Sequence, residues 1–245
     1  MSEIKYRRIL LKVSGEALGQ KTQAGDGFGL DFKKINEVCT SIKACVDMGV
    51  QVGLVIGGGN FWRGIKNGDG KMQRSHADAM GMLATVMNAI AVADALEEHG
   101  MDARVLTAVE MNKFAEYFTR DLANRYLNEG KVVLFAAGTG NPSFSTDTGA
   151  VLRGVEIEAD AVLMAKNIDG IYSADPHKDP TAVKYDALTY AQVLEKGLKA
   201  TDVTAMALAM DNNMPMVCFG LAEENSIVRV VRGEKIGTTV TNESI

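Results

Sequence analysis

Cysteine is scarce in this sequence, and its scarcity excludes a disulfide framework. The 245 residues contain three cysteines, Cys39, Cys45 and Cys218, which are widely spaced and form no CxxC pair. Disulfide-stabilised domains need paired cysteines, whereas scattered single thiols are typical of the reducing cytoplasm. We therefore expect a cytoplasmic protein whose thiols are buried in its core.

Surplus positive charge and long hydrophobic runs are also lacking. The formal net charge is -5, which argues against a nucleic-acid binder that relies on a basic surface. The apolar stretch that follows the N-terminal basic residues is only residues 9–11, too short for a signal peptide, and no stretch approaches the length of a membrane span. We expect neither nucleic acid nor a membrane as a partner, so any phosphate chemistry has to be local.

Internal repeats, low-complexity tracts and proline-rich linkers are missing as well. A chain of 245 residues is long enough to bury a sizeable core in one large domain or two small ones. Without a linker to divide it, we predict one domain with two lobes around a cleft.

Short apolar runs recur along the chain, separated by helix-like segments. The runs are residues 9–13, 52–56, 103–106, 132–136, 161–164 and 216–219. Several are nearly continuous rather than alternating, as expected of parallel strands covered on both faces. Strands that alternate with helices predict an α/β three-layer sandwich with a mainly parallel central sheet.

Apolar residues at three-to-four spacing predict two long helices, over residues 31–48 and 75–99. A third predicted helix covers residues 203–210. Near the C-terminus, residues 227–231 and 238–241 flank the sequence RGEKIG, and we interpret them as a closing hairpin.

Three glycine-rich segments each follow a predicted strand. They are KVSGEAL at 12–18, GGGNFWRG at 57–64 and GTGNPSFSTDTG at 138–149. In an open α/β sheet, ligands bind outside the carboxyl ends of the strands, and glycine there lets backbone N–H groups approach an anion. Three such turns on one edge indicate a large, phosphate-rich ligand.

The two common nucleotide fingerprints do not fit these glycines. The Walker sequence GxxxxGK[ST] does not occur, and neither glycine cluster completes GxGxxG. A nicotinamide-dependent dehydrogenase is disfavoured for the same reason. Lys12 suggests different chemistry, because a lysine at a strand end supplies a compact charge for phosphoryl transfer. The alternative is a lysine that extends into solvent, and the neighbouring Ser14-Gly15 favours the functional interpretation.

Four motifs together resemble the amino acid kinase superfamily and, within it, the bacterial UMP kinase family. They are ILLKVSGEAL, VIGGGNFWRG, AGTGNPSFSTDTGAVLRGVEIEAD and DGIYSADP, in the family's order. The resemblance implies an amino acid kinase-like fold and transfer of the γ-phosphoryl group of ATP, with Mg²⁺, onto UMP to give UDP. It also implies an acceptor lobe over about residues 1–155 and an ATP lobe over about residues 156–245.

The resemblance assigns residues to both nucleotides. The implied ATP-binding residues are Lys12, Val13, Ser14, Gly15, Gly59, Arg63, Asn167, Tyr172 and Asp175. The implied UMP-binding residues are Gly58, Asp78, Thr139, Gly140, Asn141, Pro142, Ser143, Phe144, Ser145 and Thr146. Asp78 could instead complement the dipole at the start of its helix.

Four residues are candidates for catalysis: Lys12, Arg63, Asp147 and Asp202. We expect Asp202 to orient Lys12 or the metal, with Asp147 as the second choice, although Asp202 could equally cap the helix that follows it. No general base is required, because phosphate oxygens are already ionised nucleophiles.

Regulation and assembly are implied by the resemblance alone. The segment Gly25, Asp26, Gly27, Phe28, Gly29 and Leu30 resembles the stretch associated with activation by GTP, and inhibition by UTP is the usual counterpart. A homohexamer is implied as well. The sequence departs from the family pattern at Ser143-Phe144, and the shorter segment AKNIDG leaves either Lys166 or Asn167 as the adenine-side contact.

Two alternatives remain open. The first is another acceptor on the same fold, such as carbamate or an amino acid. The second is a non-catalytic nucleotide or oxyanion binder, which would be expected to lack Lys12 or Asp202.

Overall fold

A computed structural model describes residues 4–21, 27–64, 71–198 and 201–243. The strands are β1 (Arg8–Val13), β2 (Gln20–Lys21), β3 (Gly27–Phe28), β4 (Gln51–Ile56), β5 (Ala103–Thr107), β6 (Glu116–Tyr117), β7 (Val132–Ala136), β8 (Ala161–Lys166), β9 (Ile171–Tyr172), β10 (Lys184–Tyr185), β11 (Ala187–Thr189), β12 (Met216–Gly220) and β13 (Thr238–Thr241). The helices are α1 (Phe32–Asp47), α2 (Arg74–Glu98), α3 (Arg120–Asn128), α4 (Thr146–Glu156), α5 (Tyr190–Glu195), α6 (Val203–Asp211) and α7 (Ser226–Val231), and a short 3-10 helix spans Gly15–Leu18.

A nine-stranded sheet forms the centre of the protein, in the order β11-β13-β12-β8-β1-β4-β7-β5-β6. Its neighbouring strands are parallel except for the antiparallel pair β12–β13. In the middle, Ile9 of β1 pairs with Val52 of β4 on one side and Ala161 of β8 on the other. The carboxyl ends of β1, β4, β7 and β8 therefore meet at one edge, as the glycine-rich turns predicted.

Helices cover both faces of this sheet. Helices α1, α2 and α7 share one apolar core with the side chains of Ile9 and Leu11, whereas α3, α4, α5 and α6 share the other core with Leu10. Because both sides of the central strands are buried, their sequences are almost continuously apolar. The predicted three-layer α/β sandwich with a mainly parallel sheet is confirmed.

The two long predicted helices are confirmed within one or two residues of their ends. Helix α1 begins after Asp31, whose side chain accepts a hydrogen bond from the backbone N–H of Lys33 at 3.1 Å. Gly49 follows its end with φ 87°, a left-handed conformation that suits glycine. The helix predicted after Asp202 is α6.

The predicted C-terminal hairpin is wrong. Residues 226–231 form helix α7, which packs its apolar side chains Ile227, Val228, Val230 and Val231 into the core beside α1. Strand β13 pairs with β12 and β11 instead. The β-branched residues suggested a strand, but burial against α1 overrides that propensity.

Helix α2 carries an exposed apolar stripe. Met80, Leu83, Met87 and Ile90 recur at helical spacing, and 39 to 54% of each residue's surface is accessible. Contrary to the sequence expectation, α2 is long and apolar enough to span a membrane by length and composition. However, 44% of an 18-residue apolar stretch of α2 is buried, and the core helix of a globular protein can have the same length and composition.

Candidate active site

Lys12 lies at the edge where the parallel strands end. It is the penultimate residue of β1 and is only 8% exposed, so its charge needs a partner inside the protein. Its Nζ atom lies 2.8 Å from Oδ1 of Asp147, in the first turn of α4. The charged lysine of the opening motif is therefore held by an ion pair, not extended into solvent.

Asp147 binds a second lysine. Lys166, the last residue of β8, donates from Nζ to Oδ2 of Asp147 at 3.0 Å, and the Thr201 hydroxyl donates to the same oxygen at 2.5 Å. Burial would raise the pKa of the Asp147 carboxyl, but the charges of Lys12 and Lys166 outweigh it and hold that pKa well below its usual range. The cluster therefore contains two ammonium groups around one ionised carboxylate, with a net positive charge.

The preference for Asp202 as the partner of Lys12 is corrected by this geometry, because Asp147 takes that place. Asp202 caps α6, since its Oδ1 accepts from the backbone N–H of Ala205 at 2.9 Å. The same oxygen accepts from the Thr148 hydroxyl at 2.9 Å, and Oδ2 accepts from the Ser145 hydroxyl. Asp202 thus ties the start of α6 to the start of α4.

The turn after β1 packs against the turn after β4. A Cβ atom on Gly15 would lie 2.1 Å from the carbonyl oxygen of Gly57 and 2.6 Å from Oδ1 of Asn60, so only glycine fits there. The two expected phosphate-binding turns therefore form one surface beside the lysine cluster.

A reciprocal pair of buried amides fixes the turn after β4. Nδ2 of Asn60 donates to Oδ1 of Asn88 at 2.9 Å, and Nδ2 of Asn88 donates to Oδ1 of Asn60 at 2.7 Å. The second N–H of Asn88 binds the carbonyl oxygen of Gly57, and that of Asn60 binds the carbonyl oxygen of Gly29. Sequence reasoning missed this pair; its only signal is one asparagine in the apolar sequence of α2.

A cavity of about 260 Å³ lies beside these turns. Its lining includes seven of the residues expected to bind UMP, namely Gly58, Asp78, Thr139, Asn141, Phe144, Ser145 and Thr146, and two expected to bind ATP, Gly59 and Arg63. Gly140, Pro142 and Ser143 belong to the same loop without lining the cavity. Asp78 nevertheless fixes that loop, because its Oδ2 accepts from the backbone N–H of Ser143 at 2.7 Å.

Arg63 projects from the end of the glycine turn. Its Nε donates to the carbonyl oxygen of Gly59 at 3.2 Å, and its guanidinium lies 3.2 Å from Oε1 of Glu16. Arg63 is thereby placed between the turn after β1 and the 260 Å³ cavity.

The residues expected on the adenine side are divided between two cavities. Tyr172 and Asp175 line a cavity of about 500 Å³, where the Tyr172 hydroxyl donates to Asp169 at 2.7 Å. Asn167 lines a separate cavity of about 750 Å³ together with Leu221. Lys166, the other candidate, contacts Asp147 and so belongs to the lysine cluster.

Part of the segment expected to bind GTP can be placed. Gly25 and Asp26 lie outside the described residues. The backbone N–H of Gly29 donates to the carbonyl oxygen of Asn60 at 3.1 Å, and the exposed ring of Phe28 meets Phe61 edge-on at 6.2 Å. This segment therefore contacts the glycine turn directly.

The chain is similar to a known protein family and to solved structures. Residues 7–220 match the amino acid kinase family. The UMP kinase of Bacillus anthracis superposes with a TM-score of 0.93 at 33% identity, covering 98% of this chain and 97% of that chain. The UMP kinase of Ureaplasma parvum gives 0.89 at 35% identity, covering 97% and 100%. The uridylate kinase of Archaeoglobus fulgidus gives 0.72 at 27% identity, covering 95% and 99%.

Proposed function

This chain belongs to the amino acid kinase family, and we propose that it is a UMP kinase that transfers the γ-phosphoryl group of ATP to UMP in pyrimidine nucleotide biosynthesis. The observation that carries the proposal is the cluster of Lys12, Lys166 and Asp147, in which Asp147 directly follows Thr146 of the 260 Å³ cavity lining. The likeness to two UMP kinases over nearly their whole length supports the choice of acceptor.

The lysine cluster suits the demands of phosphoryl transfer. Charge spreads over the oxygens of the moving phosphoryl group, and fixed cations beside it lower the barrier. Lys12 and Lys166 supply two such charges, and Asp147 holds both in place while leaving the cluster with a net positive charge. The Arg63 guanidinium offers a planar fork for further phosphate oxygens.

The acceptor nucleotide would occupy the cavity lined by Gly58, Asp78 and the loop at 139–146. An ionised phosphate oxygen of UMP is already a nucleophile, so placing it in line with the γ-phosphorus is the main requirement. Lys12, Val13, Ser14, Gly15 and Gly59 would surround the phosphates of ATP, and Asn167, Tyr172 and Asp175 would lie on the side of its adenine.

Mg²⁺ would enter with ATP. Among the described residues, no group of three or more His, Cys, Asp or Glu side chains is placed to hold a metal ion. In kinases Mg²⁺ is commonly held by substrate phosphates with one or two carboxylates. Asp202 would supply such a carboxylate, whereas both oxygens of Asp147 already bind lysines. The ion would supply positive charge that offsets the charge on the phosphate oxygens during transfer.

The proposal includes the assembly and regulation that the family resemblance implies. The stripe of Met80, Leu83, Met87 and Ile90 on α2 supports self-association, in which a homohexamer would cover it. GTP activation would act through the segment at 25–30, whose Gly29 contacts the glycine turn, and UTP would inhibit. Residues 1–155 would form the acceptor lobe and residues 156–245 the ATP lobe.

An acceptor panel tests the activity. Purified protein is given ATP and Mg²⁺ with UMP, CMP, AMP, glutamate or carbamate in parallel, and the phosphorylated products are separated by chromatography. We expect UDP from UMP at a rate well above that of the other acceptors. Phosphorylated glutamate or carbamate without UDP would assign another acceptor, and nucleotide binding without any product would indicate a non-catalytic binder.

The same assay tests regulation. GTP should raise the rate of UDP formation and UTP should lower it.

Analytical ultracentrifugation should give a mass near six chains, and replacing Leu83 and Met87 with glutamate should shift that mass downward. A monomeric wild-type protein would contradict the proposed assembly without affecting the proposed activity.

A further inference from the structure

The turn after β7 has an unusual backbone. Ala137 and Gly138 are both left-handed, with φ of 60° and 56°. Glycine adopts this conformation freely, but an alanine does so at a cost and keeps it only where its surroundings enforce it. Ala137 is 1% exposed, so it lies inside the protein, where neighbouring elements can supply that constraint.

Helix α2 holds the turn from one side. The hydroxyl oxygen of Thr85 accepts a hydrogen bond from the backbone N–H of Ala137 at 2.9 Å. The same hydroxyl donates to the carbonyl oxygen of Met82 at 2.6 Å, which fixes the direction of its proton. The Thr85 hydroxyl thus donates within α2 and accepts from the turn, which fixes the turn to the helix.

Helix α4 holds the turn from the other side. Arg153 is 5% exposed and donates from its guanidinium to the carbonyl oxygen of Gly138 at 3.3 Å. Glu156 pairs with the same guanidinium, which also lies 3.9 Å from the centre of the Phe118 ring. A buried arginine with a carboxylate and a ring around it has little freedom to move.

The contacts of Thr85 with Ala137 and of Arg153 with Gly138 together form a clamp on the turn, and the Arg153 contact sets the orientation of the Gly138–Thr139 peptide. In a trans peptide the carbonyl and the next N–H point in opposite directions, and the structure has no cis peptide bonds among the described residues. Because the carbonyl of Gly138 points to Arg153, the N–H of Thr139 points away from it. Gly138 and Thr139 line the 260 Å³ cavity, whereas Arg153 is not among its lining residues.

We propose that Thr85 and Arg153 are positioning residues that hold the Ala137–Gly138 turn in the shape that binds the acceptor nucleotide. This inference rests on the proposed function, since it assigns the cavity to a nucleoside monophosphate. Neither residue needs to touch the transferring group. Removing either contact should weaken the binding of the acceptor nucleotide. The affinity for ATP should change little, because the residues expected to bind ATP lie on other turns.

Three variants separate this role from a purely structural one. Thr85→Val keeps the shape of the side chain but removes the hydroxyl, and Thr85→Ser keeps the hydroxyl. Arg153→Lys keeps the charge beside Glu156 but loses the fork that reaches Gly138. The kinetic constants for UMP and ATP are measured for each variant, together with its melting temperature.

We expect Thr85→Val and Arg153→Lys each to raise KM for UMP about tenfold, the loss typical of one hydrogen bond. KM for ATP should stay within about twofold, and Thr85→Ser should restore most of the affinity for UMP. Lower melting temperatures with an unchanged KM for UMP would overturn the proposal. A higher KM for UMP in Thr85→Val but not in Arg153→Lys would also overturn the proposal, because Thr85 lines the cavity and could touch the ligand directly.

Hydrogen exchange makes the clamp testable independently of turnover. The Ala137 amide should exchange faster in Thr85→Val than in the wild-type protein, and UMP should protect the Thr139 amide in the wild-type protein. If the wild-type protein forms no UDP, the proposed function fails by itself. If it forms UDP but the variants show wild-type exchange and a wild-type KM, the clamp fails by itself.

Discussion

The Nζ atom of Lys12 lies 2.8 Å from Oδ1 of Asp147, and this ion pair joins β1 to the first turn of α4. Lys166 occupies the other carboxylate oxygen at 3.0 Å. Two ammonium groups that contact one carboxylate repel each other, and the negative charge of the shared carboxylate offsets that repulsion at the sheet edge.

Removing Lys12 should abolish most of the activity and leave the fold intact. We expect Lys12→Ala to lower kcat for UDP formation by about 10² to 10³, the range seen when a fixed group that stabilises transition-state charge is lost. Lys166 would still neutralise Asp147, so the circular dichroism spectrum should be unchanged. Lys43→Ala, which removes a partly exposed lysine paired with Asp47 on α1, is the matched control and should keep wild-type kcat. Normal turnover in Lys12→Ala would contradict the role assigned to this lysine.

Asp147 should make stability depend on pH in a defined direction. The lysines lower the pKa of its carboxyl in the folded protein, so the unfolded chain binds its proton first as the pH falls. The resulting stabilisation is present above about pH 4, the usual pKa of an unfolded aspartate, and is lost below it. Denaturant titrations from pH 3 to pH 7 should therefore show a difference between wild type and Asp147→Asn that shrinks as the pH falls. A constant difference would contradict the ion-pair role.

The sheet and its functional edge could be predicted from the sequence because both have local signals. Buried parallel strands give unbroken apolar runs, and the turns after them contain glycines that are recognisable in the local sequence. The bounds of β7 match the predicted residues 132–136, and β4 differs by one residue at its start. The sequence prediction is wrong at α7 because β-branched residues are also typical of a buried strand, and only packing against α1 distinguishes the two structures.

Side-chain partners across the sheet could not be predicted in the same way. Asp147 and Asp202 both stand near the start of a helix, so sequence alone gave no reason to pair one of them with Lys12. Lys166 ends β8, a neighbour of β1 that lies more than 150 residues away along the chain, and only the strand order brings the two lysines together. The partners of Arg153 and Thr85 depend on tertiary structure for the same reason.

The three cysteines should be unreactive in the folded protein. Burial raises the pKa of Cys39 and Cys45 to about 12 and that of Cys218 to about 11, so little thiolate exists near neutral pH. With a chromogenic disulfide reagent at pH 8, the native protein should release almost no colour and the denatured protein should release three equivalents. Thr40→Cys, on the exposed face of α1, should add one fast equivalent as a positive control. Rapid labelling of the native wild-type protein would show that the thiols are accessible.

The Asn60–Asn88 pair should behave as one energetic unit. Each amide satisfies the other at 2.7 to 2.9 Å inside the protein, so removing either leaves a buried polar group without its partner. We expect Asn60→Ala and Asn88→Ala each to lower the free energy of unfolding by about 2 to 4 kcal/mol.

The double variant decides whether the two asparagines are coupled. Its loss of stability should be smaller than the sum of the single losses by at least about 1 kcal/mol, because the second substitution removes a group that the first has already left unpaired. Urea titrations of the four proteins complete the cycle. Strictly additive losses would show that each amide acts alone, and the glycine turn would then depend on Asn88 only through its bond to the Gly57 carbonyl.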